Sequence, residues 1–235
     1  MKPRAFDFVR AESVDEALAA LAAPGAQARI LAGGQSQIAM LNLRLVEAEI
    51  LIDINGIDEL RYLRVSGDTL EVGAAATQAE LMDWSDLAEQ LPLLHAAMPH
   101  LGHFQTRNRG TVCGSIAHAD PSSELPLCLA TLGGHVVLRS ARGERVLDAD
   151  EFQLGMLSTA RRDDEMVTAV RFPLRRPGAG YAFDELALRK GDFAVVSVAA
   201  IATDGRIRLG VGGVADRPTV RDWDELPDGN LDRAL

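Results

Sequence analysis

Arg29-Ile30-Leu31-Ala32-Gly33-Gly34-Gln35-Ser36 begins as a short apolar run and ends in two glycines and two polar residues. The first half reads as a buried strand and the second as a tight loop. Two glycines directly after a strand let the backbone approach a ligand closely and expose its N–H groups. Successive N–H groups make a nest suited to an anion such as a pyrophosphate. A plain strand-to-helix turn accounts for the same residues. The third glycine and the spacing of a Rossmann dinucleotide fingerprint are absent.

Working toward the N-terminus, Ser13-Val14-Asp15-Glu16 has the composition of a capping box, in which hydroxyl and carboxylate satisfy each other's free backbone N–H groups. Ala17, Leu18, Leu21 and Ala22 follow on one helical face, and Pro24-Gly25 stops the helix. Toward the C-terminus, an apolar segment over 38–45 leads to a strand over 49–54. Segments 62–65 and 69–72 flank Ser66-Gly67-Asp68, a hairpin signal. Thr77-Gln78-Ala79-Glu80 is a second capping box opening a helix toward Trp84, and another helix covers 91–98. Strands follow over 134–139, 143–146 and 166–172, the last closed by Pro173. Beyond Pro177-Gly178-Ala179-Gly180, residues 183–188, 195–203 and 206–212 read as three antiparallel strands, with Asp204-Gly205 as a hairpin turn. Helices alternating with hairpins imply an α+β fold rather than a purely parallel sheet. The proline–glycine stretch places a domain boundary there, giving units 1–176 and 177–235.

Two further stretches carry possible chemistry. Arg107-Asn108-Arg109-Gly110-Thr111-Val112-Cys113-Gly114-Ser115-Ile116-Ala117-His118-Ala119-Asp120-Pro121 is rich in small and donor residues. Thr111 and Ser115 offer hydroxyls, the backbone around Gly114 offers N–H groups, and Asp120 can accept from sugar-type hydroxyls. A solvated loop turning at Asp120-Pro121 explains the run equally well. Leu188-Arg189-Lys190-Gly191-Asp192-Phe193-Ala194 places two cations where they can stabilise negative charge on a cofactor; a surface turn with a basic edge is the plainer reading.

Bulk properties exclude several classes. Thirty-four acidic against 24 basic residues give a net charge of −10, which is opposite to the basic footprint nucleic acid requires. The two cysteines, Cys113 and Cys128, lack metal-site spacing and cannot supply the four ligands of an iron–sulfur cluster. The five histidines show no His-Glu-x-x-His spacing, and no nucleophile elbow accompanies Ser36 or His118. The N-terminus lacks a signal-peptide core, and the weakly polar stretch over 125–138 is too short to span a bilayer. A soluble cytoplasmic protein is expected.

Taken together and in this order, Ala32-Gly33-Gly34-Gln35-Ser36, Arg107 to Ser115, Ala119-Asp120-Pro121 and Gly191-Asp192-Phe193-Ala194 resemble the FAD-binding medium subunit of the xanthine oxidase and carbon monoxide dehydrogenase family of molybdenum hydroxylases. The resemblance implies a two-lobed FAD domain of the vanillyl-alcohol oxidase type, with lobes of about 1–55 and 56–176, plus a small C-terminal three-stranded sheet domain. It implies that Ala32, Gly33, Gly34, Gln35 and Ser36, with Thr111, Cys113, Gly114 and Ser115, clasp the FAD pyrophosphate. Asp120 would hold a sugar-type hydroxyl, and Arg189, Lys190 and Asp192 would approach the isoalloxazine. The implied partners are a large subunit with the molybdenum cofactor and a small subunit with 2Fe-2S clusters, assembled as a dimer of heterotrimers. Electrons would leave to an external acceptor. The sequence departs from the family at Cys113-Gly114, where Gly-Gly is usual, so Cys113 demands a permissive φ or more room. It also ends at Leu235, where the family continues into further helices, so this member is either short or truncated. A self-contained flavin oxidase needs a substrate domain for which the region after 180 is too small. A noncatalytic assembly module that has lost FAD is the reading from another class.

Overall fold

The computed structural model describes residues 2–224, apart from 24 and 26. Residue 24 of the expected Pro24-Gly25 stop, and the end of the C-terminal unit, therefore lie outside the described residues.

The first layer contains β1 (Asp7–Arg10), α1 (Val14–Leu21), β2 (Ala28–Leu31), α2 (Gln37–Leu43) and β3 (Ile50–Asp53). Its three strands form a parallel sheet in the order β1-β3-β2, with Ile52 of the central strand between Val9 and Ile30. Ser13 caps α1 by accepting from the Glu16 N–H at 3.2 Å. The reciprocal half of the expected box does not form, because the Glu16 carboxylate accepts from Glu12 N–H at 2.8 Å instead.

The second layer comprises β4 (Leu63–Ser66), β5 (Thr69–Gly73), α3 (Gln78–Met82), α4 (Leu87–Gln90), α5 (Pro92–Ala97), α6 (Phe104–Arg107), α7 (Val112–His118), α8 (Glu124–Leu132), β6 (His135–Ser140), β7 (Gly143–Asp148), α9 (Ala149–Phe152), β8 (Gln153–Gly155), β9 (Ser158–Thr159) and β10 (Met166–Pro173). Five of these strands make an antiparallel sheet, β4-β5-β10-β6-β7. Its central strand pairs Val170 with Val72 on one side and Val136 on the other. At α3 the box is complete: Thr77 accepts from Glu80 N–H at 3.2 Å, and Glu80 accepts from Thr77 N–H at 2.7 Å.

The third layer is one antiparallel sheet of β11 (Gly180–Ala187), β12 (Ala194–Thr203), β13 (Arg206–Gly212) and β14 (Thr219–Trp223). It has four strands, not the three expected. The fourth, Thr-Val-Arg-Asp-Trp, is a half-exposed edge strand in which Asp222 takes an ion pair from Arg208 at 3.1 Å. Charged residues on an exposed edge hide a strand from a hydrophobic pattern.

Helices α5 and α8 pack on this sheet. Gly210 makes that approach possible, since a Cβ there would overlap Thr131 Oγ1 and lie 2.9 Å from Leu127. One hydrophobic cluster runs from α1 through the central sheet to Ala199 of β12, so the third layer shares its core with the second. Phe152 and Phe172 are its largest fully buried side chains, and truncating either to alanine costs about 3–5 kcal/mol.

Candidate functional site

The site starts where β2 ends. After Leu31 the chain turns through Gly34, whose φ of 70° is in the left-handed region that glycine adopts without strain. Gly33 lies directly on the main chain of the second glycine stretch: a Cβ on it would overlap the Arg109 carbonyl oxygen and sit 2.6 Å from Gly110 Cα. Two segments remote in sequence thus meet backbone to backbone.

The polar groups of this loop are sorted by direction. Its carbonyls are held: Asn55 Nδ2 donates to Ala32 O at 2.9 Å, and Gln35 Nε2 donates to Gly33 O at 3.2 Å. The N–H groups of residues 33–37 make no hydrogen bond to any described residue. Five consecutive free donors on a concave backbone are what an anion needs.

The second stretch is not a loop but the start of α7. Thr111 is its N-cap, accepting from Gly114 N–H at 3.0 Å. The Val112 and Ser115 N–H groups are also engaged, with Ala76 O at 3.1 Å and Thr111 O at 3.2 Å. The amide donors expected around Gly114 are therefore largely consumed by the Thr111 N-cap and by Ala76 O, and this side contributes hydroxyls and close packing. Cys113 sits inside α7 with an ordinary helical φ, not a left-handed one. Its thiol points into the core, 3.4 Å from Val72 O. Burial pushes that thiol well above its usual range. The added Cβ needs no special φ because it is absorbed by core packing.

Both segments border one cavity of about 770 Å³, toward the upper end of the roughly 300–1,000 Å³ typical of ligand sites. Ala32, Gly33, Gly34, Gln35 and Ser36 line it, as do Thr111, Cys113, Gly114, Ser115 and Asp192. Three anticipated residues do not. Asp120 accepts from Ser122 N–H at 2.9 Å and shapes the turn into α8. Arg189 contributes its carbonyl to the Asp192 N–H at 3.1 Å. Lys190 lies on a separate shallow depression with His103 and Phe104. The turn ends with Gly191, which is packed against His103 and leads into Asp192 and Phe193 at the cavity wall.

Residues that sequence reasoning missed complete the wall: His118, Glu124, Arg29 and Arg161. Glu124 is buried, and its carboxyl is pushed up to about 7, chiefly by desolvation and further by the Glu185 and Asp120 carboxylates. Burial pulls His118 down, with Asp120 opposing. Burial also lowers Arg161; nearby carboxylates oppose this and Arg29 reinforces it. Nothing in their spacing marks these residues, because each comes from a different element. No group of three or more His, Cys, Asp or Glu among the described residues is arranged to hold a metal. No helix among them is long and apolar enough to cross a membrane. The arrangement suits binding an elongated, partly anionic molecule.

The family model described as "FAD binding domain in molybdopterin dehydrogenase" matches residues 4–175. The chain is 39% identical over 203 residues to the 6-hydroxypseudooxynicotine dehydrogenase complex subunit alpha of Paenarthrobacter nicotinovorans, covering 86% of this chain and 69% of that protein. It is 38% identical over 224 residues to the caffeine dehydrogenase subunit beta of Pseudomonas sp. strain CBB1, covering 93% and 76%. Among solved structures, carbon monoxide dehydrogenase from Hydrogenophaga pseudoflava lacking the Mo-pyranopterin moiety matches with a TM-score of 0.89 and 36% identity, over 94% of this chain and 78% of that one.

Proposed function

Because the chain belongs to the family of FAD-binding domains of molybdopterin dehydrogenases, we propose that it is the FAD-carrying electron-transfer subunit of a heteromeric molybdenum hydroxylase. The observation that carries this reading is the row of five free N–H groups over 33–37, set in a cavity that Thr111, Gly114 and Ser115 also line, the two segments meeting where Gly33 packs on the Arg109-Gly110 backbone.

These residues fit FAD. The N–H groups of Gly33, Gly34, Gln35 and Ser36 hold the diphosphate. Ala32 fixes the end of β2, and the hydroxyls of Thr111 and Ser115 close the opposite side. Cys113 and Gly114 form the floor between them. Asp192, next to Phe193, approaches the isoalloxazine from the β11–β12 turn. Asp120, Arg189 and Lys190 support the surrounding turns in this reading and do not touch the cofactor. When bound, FAD supplies the interconversion of single electrons and electron pairs; the chain positions it and sets its electrostatics.

We read 1–176 as the FAD-binding unit, built of two lobes of the vanillyl-alcohol oxidase type, and 177–235 as the smaller unit. Partners in this reading are a large subunit with the molybdenum cofactor and a small subunit with 2Fe-2S clusters, in a dimer of heterotrimers. Electrons pass from the clusters through FAD to an external acceptor in the cytoplasm. The names of relatives as complex subunits support a heteromeric assembly.

The test is flavin content. Denaturing the purified full chain, alone or in its complex, should release about one FAD per chain. A colourless protein that takes up no FAD overturns the reading.

A further inference from the structure

Two arginines on the cavity wall have no assigned role. Arg161 follows β9, and Arg29 lies on β2 just ahead of the glycine loop. The turn around Arg161 is crowded with charge, and two of its three carboxylates, Asp164 and Glu165, are already committed, leaving Asp163 beside it. Arg145 takes Glu165 in a two-pronged pair at 2.7 and 2.8 Å, the Arg162 N–H reaches Glu165 at 2.7 Å, and Arg142 takes Asp164 at 2.7 Å. Arg161 makes no ion pair among the described residues. Its Nη1 donates to the Arg162 and Glu165 carbonyls, both at 2.9 Å. This fixes the guanidinium and leaves Nη2 and Nε without a described partner. Arg29 likewise makes no ion pair; its Nε donates to Glu47 O at 2.9 Å.

Two cations on one cavity wall repel each other, and the partial burial of Arg161 makes its unpaired charge expensive, whereas Arg29 is exposed. An anionic ligand relieves both costs. The cavity is also bordered by apolar residues, among them Ile30, Leu45 and Val46, which suit a heteroaromatic base. The β11–β12 turn, which brings Asp192 and Phe193 to the cavity, supplies none of these groups.

We propose that Arg161, assisted by Arg29, is a second anchor for the adenosine-phosphate half of the dinucleotide, and that it sets the preference for FAD over shorter flavins. This rests on the FAD reading above and adds a residue the glycine motifs do not contain. Arg161's planar fork suits phosphate oxygens in a way a lysine does not. Burial, with Arg29 adding to it, lowers the proton affinity of Arg161 although Asp163, Glu165 and Asp164 oppose this, which agrees with a guanidinium that no carboxylate pairs directly.

The experiment uses the full-length chain stripped of flavin and measures affinity for FAD, ADP alone and riboflavin. For Arg161→Gln, FAD and ADP should each bind about 10-fold or more weakly, the scale of one charge-assisted hydrogen bond. Riboflavin affinity should not change. Arg29→Gln should show a smaller loss of the same kind, and Arg161→Lys should recover only part of it. If wild-type chain binds FAD and both glutamine variants bind FAD and ADP as tightly, the proposal is wrong while the FAD reading stands. If wild-type chain binds no FAD, the FAD reading fails and the proposal with it. Should Arg161→Gln fail to fold, Arg29→Gln decides: unchanged ADP affinity overturns the proposal, and weakened ADP affinity with unchanged riboflavin supports it.

Discussion

Replacing Gly33 with alanine should separate the two halves of the site. The Gly33 φ is not in the left-handed region, so the cost is one of space alone. The new Cβ would overlap the Arg109 carbonyl oxygen and lie 2.6 Å from Gly110 Cα and 2.8 Å from the Arg109 carbonyl carbon. An ordinary carbon–carbon contact is about 3.5 Å or more, so the segments must part by about 1 Å. All the nearby atoms belong to main chain, so no side chain can rotate away. Overpacking of this kind costs about 1–3 kcal/mol, or very roughly 2–10 °C in Tm for a chain of this size. The larger effect falls on binding, because the five free N–H groups lose their alignment with the opposite wall. FAD affinity should fall by about 10–100-fold, the scale attached to displacements of this size. Flavin fluorescence quenching on the stripped chain reads it directly. Gly180→Ala is the control, since a Cβ there meets nothing within 4 Å; it should leave FAD affinity unchanged. A Gly33→Ala chain that binds FAD like the wild type refutes the reasoning.

Glu71 predicts an acid-sensitive core edge. Burial pushes its carboxyl up, but donors from Arg171 at 2.7 Å, Arg64 at 2.5 Å and Tyr62 at 2.8 Å outweigh it and hold the group near 2. A depressed folded value adds stability above the unfolded carboxylate range of about 4.3, lost as pH falls toward 2. Glu71→Gln should flatten the stability–pH slope below about 4.5, and an unchanged slope in urea unfolding contradicts this. Glu124 has the opposite sign. Its folded value near 7 means stability is lost as pH rises from about 4.3 to 7 and is level above that. Glu124→Gln should therefore gain more stability at pH 8 than at pH 5, and an equal effect at both would show the carboxyl is not raised. Cys113→Gly, which restores the usual Gly-Gly, should destabilise by about 1–3 kcal/mol through a lost buried side chain and a glycine in a helix. It should not tighten FAD binding, and a tightening would show that the thiol obstructs the site.

The fold was legible where local chemistry dominates. The Thr77-Glu80 box, the hairpin at Ser66-Gly67-Asp68 and the turn at Asp204-Gly205 are short-range devices, and each forms as expected. What escaped depends on remote partners. The strand Asp7–Arg10 is four residues long with charged ends and exists by pairing with β3, more than 40 residues away. Thr219–Trp223 is held at an edge by β13 and carries its charges outward. The site shows the same division. Both glycine stretches stand out in sequence because close backbone approach needs glycine, and the structure brings them into contact at Gly33 and Gly110. That the amides at the start of α7 are already engaged could not be read, because Thr111 serves equally as a loop donor or an N-cap. Arg161 was invisible because Arg161-Arg162-Asp163-Asp164 reads as a solvated turn, and the pairing of Glu165 and Asp164 with other arginines, which withdraws two of its carboxylates, is tertiary.

A crystal structure of the chain with FAD bound measures the decisive distances. The diphosphate oxygens should lie within about 3.2 Å of several N–H groups of residues 33–37, with the hydroxyls of Thr111 and Ser115 on the far side. A diphosphate seated elsewhere, with those N–H groups facing only solvent, would contradict it.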